Sequence, residues 1–237
     1  MTLDTTKLPR HVGIIMDGNR RWAKKQGLAA IGGHNYVVDQ IIEPLIARCG
    51  ELGISYLTLW AFSTENWNRE KDEVNGLMQL FRRALMEKVP GFIKRGARLK
   101  MIGDLSKFSP DIQAGMQQAI EQSAHNDKIT VTFAVNYGGR DEILRAIEKM
   151  IHNPVRSDLV GLRLQDQTLE QYLDTAGMPD PDLIIRTGGE QRLSGFLPWQ
   201  AVYSEFYFTE TLLPEFTPDK FDEAIEEYQR RQRRFGK

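Results

Sequence analysis

The chain has 237 residues, of which 41% are hydrophobic and 27% are charged, and its formal net charge is −1. A chain of this length fits one α/β domain, so residues 1–237 are treated as a single domain. The charge balance argues against a nucleic-acid-binding protein, and a single cysteine excludes a disulfide framework. No run approaches the roughly 20 apolar residues of a membrane span, so we expect a cytoplasmic protein that meets lipid in a groove or at the inner membrane face.

The predicted elements alternate between short strands and longer helices. Apolar, β-branched segments predict strands buried on both faces at His11–Met16, Tyr56–Ala61, Leu99–Ile102, Ile129–Val135, Leu183–Arg186 and, as a further candidate, Glu205–Phe208. Helical patterns lie between them at Asn35–Leu52, Val74–Arg95, Pro110–Asn126, Arg140–His152 and Thr217–Gln232. This alternation predicts an α/β fold with a mainly parallel sheet and helices on both of its faces.

The predicted helix Val74–Arg95 carries a broad apolar stripe. Such a stripe is typical of a face packed on a core, and it can also form one wall of an apolar tunnel. Three further apolar residues, Leu80, Ile93 and Met101, widen this surface and favour the tunnel. Pro90 predicts a bend or break near the end of the helix. The residues of the stripe are Val74, Leu77, Met78, Phe81, Leu85, Met86, Val89 and Phe92.

The run HVGIIMDGNRRWAKKQG, residues 11–27, is the most informative motif. Its predicted strand ends in one carboxylate, Asp17, and a Gly-Asn turn, two arginines and Trp22 follow. A carboxylate at a strand end, beside Arg side chains and the amides that begin a helix, suits a metal-bound phosphate ester. The alternative is that Asp17 only caps the following helix.

A second motif of the same kind is DLIIRTGGEQRLSGF, residues 182–196. Its predicted strand ends at Arg186, and a Gly pair, Arg192 and Ser194 follow. Two strand-end anion sites in one domain predict an enzyme that holds two phosphorylated substrates. The alternative is that Arg186 pairs with an acid such as Glu190 across the Gly turn.

Polar residues also follow the other predicted strands of the sheet. Ligands of parallel sheets bind outside the carboxyl ends of the strands, so these residues are expected to converge on one site. The sequence contains no Walker loop, GxGxxG, HExxH or CxxC motif that would favour another chemistry. The additional residues are Ser63, Asn66, Trp67 and Arg69 after the second strand, and Asn136, Tyr137 and Arg140 after the fourth.

At these motifs the chain resembles the cis-prenyltransferase family, specifically its bacterial undecaprenyl diphosphate synthases. The similarity extends from about Leu8 to Gly236. It also rests on Gly33-His34, LTLWAFSTENWNR (57–69), VNYGGRDEI (135–143) and the final RRFG. The resemblance implies a six-stranded, mainly parallel sheet flanked by helices, a hydrophobic tunnel and a homodimer.

The resemblance also implies the reaction. The enzyme would be a magnesium-dependent prenyltransferase that repeatedly condenses isopentenyl diphosphate onto an allylic diphosphate, with farnesyl diphosphate as the starter. The expected product is a polyprenyl diphosphate, undecaprenyl diphosphate for the cell-wall carrier lipid, which is delivered to the membrane. No nucleic-acid partner is expected.

Site residues follow from the same resemblance. Asp17 would bind Mg²⁺, and Glu205 matches an acid near a second metal or diphosphate position. Asn66 would orient reacting groups, and the proton acceptor stays open. Arg234 would reach a diphosphate in the partner subunit. The allylic diphosphate would contact Gly18, Asn19, Arg21 and His34, and Arg20 and Trp22 would flank it. Arg69 would join these contacts from the loop that also carries Ser63 and Trp67. Isopentenyl diphosphate would contact Arg186, Arg192 and Ser194.

The chain departs from the family pattern at several positions. Ala30 stands where most relatives carry Arg, and Arg20, where many have Gly, is a candidate to compensate. Tyr36, Val37 and Val38 stand where relatives often have smaller residues, and they would shorten the tunnel if they face it. The small side chain of Ala61 would leave the tunnel open. These features leave product length and starter open, and we favour a long or medium product.

Three rival hypotheses remain at this point. A haloacid-dehalogenase-like phosphotransferase would use Asp17 as its nucleophile, but it needs a second Asp where this chain has Asn19. A catalytically silent partner subunit of the same fold would lack most of the site arginines that this chain retains. A short-chain or irregular cis-prenyl diphosphate synthase would keep the site and change the product.

Overall fold

Six strands form one sheet in the computed structural model, which describes residues 3–152 and 169–231. The sheet order is β3-β4-β2-β1-β5-β6, and every neighbouring pair is parallel. The α/β prediction is therefore confirmed, including the sixth strand. The strands are β1 (His11–Ile15), β2 (Tyr56–Trp60), β3 (Ala97–Ile102), β4 (Ile129–Ala134), β5 (Leu183–Arg186) and β6 (Glu205–Phe208).

Eight α-helices surround the sheet within the described part of the chain. Two short helices between β1 and β2 had no predicted bounds, because neither is long enough to show a helical repeat. None of the described helices is long and apolar enough to cross a bilayer. The helices are α1 (Asn19–Lys25), α2 (Ala30–Tyr36), α3 (Ile42–Leu52), α4 (Lys71–Glu87), α5 (Val89–Lys94), α6 (Pro110–Ser123), α7 (Gly139–Ile151) and α8 (Pro218–Arg230).

Two of the predicted helices are interrupted. A π-helical turn, Val37–Ile41, joins α2 to α3 inside the predicted segment Asn35–Leu52. The predicted segment Val74–Arg95 is divided at Lys88 into α4 and α5, and Pro90 occupies the first turn of α5. Proline has no N–H for the hydrogen-bond ladder of a preceding helix, which explains why a break was predicted there.

The central strands bring the two sequence motifs to one edge of the sheet. All residues of β1 are buried, and Ile15 pairs with Trp60 of β2 and with Arg186 of β5. The segments that follow these three strands therefore emerge side by side. Buried residues on β1, β2 and β5 pack against the surrounding helices and hold this register.

Candidate active site

Asp17 lies at the centre of the carboxyl edge. Its carboxylate accepts hydrogen bonds from Nη2 of Arg21 at 3.2 Å and from Nη2 of Arg186 at 3.0 Å. The backbone N–H of Asp17 donates to Oγ1 of Thr187 at 3.0 Å, and that hydroxyl donates to the Asp17 carbonyl at 2.7 Å. The helix-cap alternative is wrong, because Gly18 occupies the N-cap of α1 and no side chain caps it.

Two glycines allow the backbone to approach closely here. Gly18 has φ = +107°, and a Cβ at this position would lie 2.9 Å from Cδ2 of Leu212. A Cβ on Gly33 would lie 2.1 Å from the carbonyl oxygen of Asn19, so only glycine lets α2 pack against the start of α1. This packing places His34 beside Asn19.

Three buried polar atoms around Asp17 have no hydrogen-bond partner among the described residues. They are Oδ1 of Asn19, Nε2 of His34 and Nε of Arg186. Buried polar groups in folded proteins are nearly always paired, so such a cluster indicates a site that binds a polar ligand. We refer to Asp17, Asn19, His34, Arg69 and Arg186 together as the anion site.

The imidazole ring of His34 is neutral at pH 7 in this environment. Burial is the main reason that its pKa is lowered to about 4, and the nearby positive charges of Arg69 and Arg20 lower it further. An anionic ligand would oppose the effect of these charges and favour the protonated ring.

The loop after β2 supplies a second part of the site. Ser63, Asn66 and Arg69 line the cavity described below. Oδ1 of Asn66 accepts a hydrogen bond from the backbone N–H of Ser63 at 3.0 Å, so this side chain also holds the loop together. Arg69 donates through Nη1 to Oε1 of Glu73 at 2.8 Å, and the same carboxylate oxygen lies 3.7 Å from Nε of Arg20. Glu73 therefore restrains two of the predicted cations.

The second motif contributes through Arg186. Its Nη1 donates to the carbonyl of Arg192 at 2.5 Å and to Oγ of Ser194 at 2.9 Å. Glu190 forms an ion pair with Arg192, so the alternative of an Arg186–Glu190 pair is wrong. The Arg192 side chain is largely exposed, and Ser194 lines the cavity next to Arg186.

Two tryptophans that were predicted to lie in the substrate site, Trp22 and Trp67, pack against other aromatic rings. Neither Trp22 nor Trp67 lines the apolar cavity or the neighbouring cleft, which are both described below. The ring centroids of Trp22 and Tyr36 are 4.6 Å apart, and those of Trp67 and Phe62 are 5.0 Å apart. Trp67 also donates through Nε1 to Oδ1 of Asn136 at 2.8 Å. Both tryptophans therefore have packing partners in the structure, and direct substrate contact by either of them stays a prediction.

Glu205 lies at the amino-terminal ends of the strands, opposite to the carboxyl ends where Asp17 lies. It is the first residue of β6 and pairs in register with Leu183, whereas Arg186 at the carboxyl edge pairs with Phe208. Its carboxylate accepts a hydrogen bond from Nη1 of Arg231 at 3.0 Å. A metal ion shared by Asp17 and Glu205 of one chain does not fit this register. Arg234 lies outside the described residues.

An apolar cavity of about 330 Å³ opens from the anion site and runs beside α4. Leu77, Leu80, Phe81 and Leu85 of α4 line it, so the tunnel interpretation of the stripe is supported, although Met86 is exposed. Apolar residues from the π-helical turn, α5 and α6 complete the wall. These are Val37, Val38, Val89, Phe92 and Met116.

The unusual residues of this chain are divided between the two sides of the site. Val38 and Ala61 line the apolar cavity, but the exposed Tyr36 packs on Trp22 instead. Ala30 lies in a neighbouring cleft of about 780 Å³ that shares several anion-site residues with the cavity. The cleft is lined by Met16, Asp17, Gly18, Asn19, Arg20, Arg21, Lys24, Gly27, Leu28, Ala30, His34 and Arg69.

Three residues near the site were not predicted to belong to it. Lys24 lines the cleft one helical turn after Arg20, so helical spacing within the first motif could have identified it. Thr187, the residue after Arg186, fixes the Asp17 backbone. Glu73 follows Arg69 by four residues, a spacing that could have indicated their ion pair.

The carboxylate of Asp17 suits a metal ion that arrives with a phosphorylated substrate. Among the described residues, no group of three or more His, Cys, Asp or Glu side chains could hold a metal. Mg²⁺ is commonly bound by one or two carboxylates together with substrate phosphates and water. Asp17 is partly exposed at the boundary of cavity and cleft, which fits this mode of binding.

The fold and the site together define a class of protein. A cation-lined cleft at the carboxyl edge of a parallel sheet continues into an apolar cavity. Such a site suits an enzyme that binds a hydrocarbon carrying an anionic phosphate group.

Comparison with known proteins identifies the family. The model of the undecaprenyl diphosphate synthase family matches residues 15–236. An isoprenyl transferase from Nitrosomonas europaea is 46% identical over 235 residues, which cover 99% of this chain and 88% of that protein. The chain belongs to the undecaprenyl diphosphate synthase family, and it is a cis-prenyltransferase.

Solved structures agree with this assignment. A lavandulyl diphosphate synthase from Lavandula x intermedia, in complex with dimethylallyl diphosphate, is 37% identical with a TM-score of 0.91, covering 98% of this chain and 100% of that one. A probable undecaprenyl diphosphate synthase from Campylobacter jejuni is 38% identical with a TM-score of 0.77, covering 97% of this chain and 99% of that one. Membership of this family excludes the phosphotransferase hypothesis.

Proposed function

We propose that the protein condenses isopentenyl diphosphate with an allylic diphosphate, with farnesyl diphosphate as its starter and undecaprenyl diphosphate for the cell-wall carrier lipid as its product. The observation that carries this proposal is the cluster of unpaired buried polar atoms on Asn19, His34 and Arg186, at the mouth of an apolar cavity. An allylic diphosphate would suit both the polar cluster and the apolar cavity, since its head group is anionic and its tail is a hydrocarbon.

The two diphosphates would occupy different sides of Asp17. The allylic head group would lie in the cleft, near Arg20, Arg21, His34 and Arg69, with its tail in the cavity. The amides of Gly18 and Asn19 would support the same group. Isopentenyl diphosphate would lie near Arg186, Arg192 and Ser194. Arginine suits both positions because its planar fork of N–H donors matches phosphate oxygens.

In the reaction, the bond between the allylic carbon and the diphosphate oxygen breaks, and the diphosphate leaves with the electron pair. A carbon–carbon bond forms between the allylic carbon and isopentenyl diphosphate, and the resulting cation loses a proton to the released diphosphate, which is the proposed acceptor. Arg21, His34 and Arg69 would stabilise the negative charge that develops on the leaving diphosphate. Asn66 would orient groups rather than accept the proton, since an amide is a poor base. A magnesium ion held by Asp17 and substrate oxygens would supply further charge neutralisation.

We further propose that the active form is a homodimer. Glu205 lies away from Asp17 of its own chain, and Arg234 would serve a diphosphate bound by the second subunit. The product would be passed to a membrane surface.

The test is incorporation of radiolabelled isopentenyl diphosphate in the presence of magnesium and farnesyl diphosphate, with products separated by chain length. A long cis-polyprenyl diphosphate is the expected product. Absence of incorporation with every allylic starter would overturn the proposal and favour the silent-subunit hypothesis. Omission of magnesium is expected to abolish turnover, and full activity without it would remove the metal from the scheme.

A short-chain or irregular synthase is the second candidate. It is favoured by the cavity of about 330 Å³ and by the likeness to the lavandulyl diphosphate synthase structure. Supplying dimethylallyl diphosphate as the only substrate separates the two candidates. A coupled product from this single substrate would identify an irregular synthase, and its absence together with long products from farnesyl diphosphate would exclude one.

A further inference from the structure

The turn after β4 lies between two loops at the carboxyl edge of the sheet. In the strand order, β4 has β3 on one side and β2 on the other. Ala134, the last residue of β4, is in register with Trp60 of β2 and with Ile102 of β3. The segments that follow these three strands therefore emerge next to one another. Asn136, two residues after the end of β4, reaches the loops on both sides.

The side chain of Asn136 forms a hydrogen bond to each of these loops. Its Oδ1 accepts from Nε1 of Trp67 at 2.8 Å, and its Nδ2 donates to the carbonyl of Asp104 at 2.8 Å. Only 2% of Asn136 is exposed, and its φ of +46° lies in the left-handed region, which asparagine tolerates better than most residues. A buried amide that uses its acceptor on one loop and its donor on the other restrains both loops.

The loop after β2, residues 63–69, carries three of the predicted site residues. We refer to it as the β2 loop. Ser63, Asn66 and Arg69 line the cavity, whereas Trp67, between the last two in the chain, does not. The Trp67 ring packs on that of Phe108, with ring centroids 5.7 Å apart. Trp67 therefore connects the β2 loop to the rest of the fold, between two residues that border the cavity.

The two halves of the β2 loop are held in different ways. In the first half, the N–H of Thr64 donates to the carbonyl of Tyr137 at 3.4 Å, and the N–H of Tyr137 donates to the carbonyl of Phe62 at 3.0 Å. These backbone hydrogen bonds do not depend on side chains. In the second half, the hydrogen bond from Trp67 to Asn136 joins two side chains. A single substitution can therefore release the second half and leave the first in place.

We propose that Asn136 is a positioning residue, which holds the β2 loop through Trp67 so that Arg69 meets the allylic diphosphate. This inference rests on the proposed function. Arg69 follows Trp67 by two residues, and a cation stabilises a leaving diphosphate most when it is already in place. Without the hydrogen bond, Arg69 must be ordered when the substrate binds, which lowers affinity. Isopentenyl diphosphate is proposed to lie near Arg186 and Arg192, so its binding does not depend on this loop.

The hydrogen bond can be removed from either side. Trp67→Phe removes the indole N–H and keeps an aromatic ring for packing. Asn136→Gly removes the amide and keeps a residue that adopts a positive φ without strain. Trp199→Phe is the matched control for the first variant, because Trp199 lies before β6 and lines neither the cavity nor the cleft. Asn126→Gly is the control for the second, because the Asn126 amide donates to two backbone carbonyls at the other end of β4.

The experiment measures kcat and the KM values for farnesyl diphosphate and isopentenyl diphosphate, by incorporation of radiolabelled isopentenyl diphosphate with magnesium. We expect Trp67→Phe and Asn136→Gly each to lower kcat/KM for farnesyl diphosphate by about tenfold, the effect of one buried hydrogen bond. The KM for isopentenyl diphosphate should not change. The double variant should lose no more than either single variant, because both substitutions remove the same hydrogen bond. Both controls should keep the wild-type kinetics, and circular dichroism checks that every variant folds.

Several results would overturn the inference. Additive losses in the double variant would show that the two residues act separately, as expected if Trp67 contacts the substrate directly. Equal increases in both KM values, or the same losses in the controls, would show a general structural effect. Unchanged kinetics in the folded single variants would show that the hydrogen bond positions nothing.

Two further outcomes are separable. If Asn136→Gly does not fold, Asn136→Ser takes its place, since its side chain is too short to replace both hydrogen bonds; the same results then decide. If the wild type incorporates no isopentenyl diphosphate with any starter, the proposed function fails and this inference fails with it. An active wild type with additive or unchanged variants would reject only the role of Asn136.

Discussion

The anion site and the ion cluster of Asp39, Arg83 and Lys88 differ in how their polar groups are satisfied. At the anion site, Nε2 of His34 and Nε of Arg186 are buried without a partner. In the ion cluster, Arg83 and Lys88 both bind Asp39, and all three side chains are partly exposed. Unpaired buried groups favour a ligand that supplies the missing hydrogen bonds, whereas a paired, hydrated cluster resists desolvation by a hydrocarbon. The anion site is therefore expected to bind an anionic group, whereas the ion cluster already has its charged partners.

Replacement of Asp17 should have the largest effect on turnover. Asp17→Ala is expected to lower turnover by at least about 10²–10³-fold, because it removes the carboxylate that is proposed to hold the magnesium ion beside the leaving diphosphate. The fold should persist, since Thr187 and Leu213 hold the Asp17 backbone rather than its carboxylate. Incorporation of radiolabelled isopentenyl diphosphate and circular dichroism measure the two properties. Asp111→Ala, which breaks an exposed pair with Arg82, is the control. Turnover within a few-fold of the wild type would contradict the role given to Asp17.

Acid should weaken the folded state through two buried histidines. Burial is the main reason that the pKa values of His11 and His34 are lowered from 6.5 to about 4. Between these values the unfolded chain binds more protons than the native protein, so the free energy of unfolding decreases as the pH falls from 6.5 towards 4. The loss is at most roughly 3 kcal/mol for each histidine, at about 1.4 kcal/mol per pKa unit.

Inorganic diphosphate separates the two histidines. It should favour protonated His34 and so reduce the loss of stability at low pH, while leaving the contribution of His11 unchanged. Urea unfolding at several pH values, with and without inorganic diphosphate, measures this. His34→Gln is expected to remove the pH-dependent part of the diphosphate effect, and an undiminished effect in that variant would exclude His34 as the responsible group.

Gly33→Ala tests the backbone contact that brings His34 to the site. A Cβ would lie 2.1 Å from the Asn19 carbonyl oxygen, so the helices must separate. We expect a loss of about 1–3 kcal/mol in the free energy of unfolding, typical of overpacking. Gly50→Ala on α3 is the matched control, because its Cβ would meet only Cε of Lys128 at 3.4 Å. That control should stay within about 1 kcal/mol of the wild type. Equal stabilities of the two variants in urea unfolding would contradict the packing argument.

Glu73→Gln should have the smallest effect. It removes a negative charge from beside the cleft and releases Arg20 and Arg69. We expect inorganic diphosphate to bind a few-fold more tightly, because the two arginines lose a competing carboxylate. Turnover should fall because Arg69 is no longer positioned. Calorimetric titration and initial rates measure the two effects. Glu226→Gln, which breaks an exposed pair with Arg230 on α8, is the control; tighter binding in that variant as well would indicate a general charge effect.

Local patterns were enough to predict the strands and most of the helices. Buried parallel strands are continuous apolar runs, and this signal is present within each segment. The interruptions were harder to predict. Pro90 indicated the break after α4, but the π-helical turn after Tyr36 has no local marker in this sequence. The packing of Trp22 on Tyr36 and of Trp67 on Phe62 was not predicted, because no local pattern shows which aromatic side chains meet.

The sequence by itself determined the order of the strands along the chain, the family and the positions of Asp17, His34, Arg69 and Arg186. Only the tertiary structure decided which of these side chains meet. Asp17 and Arg186 are 169 positions apart, and they pair because β1 and β5 are neighbours in register. The same register places Glu205 at the other edge. The Asp39–Arg83 ion pair depends on α4 packing beside the π-helical turn. Strand register and helix packing are properties of the whole chain, so no local pattern contains them.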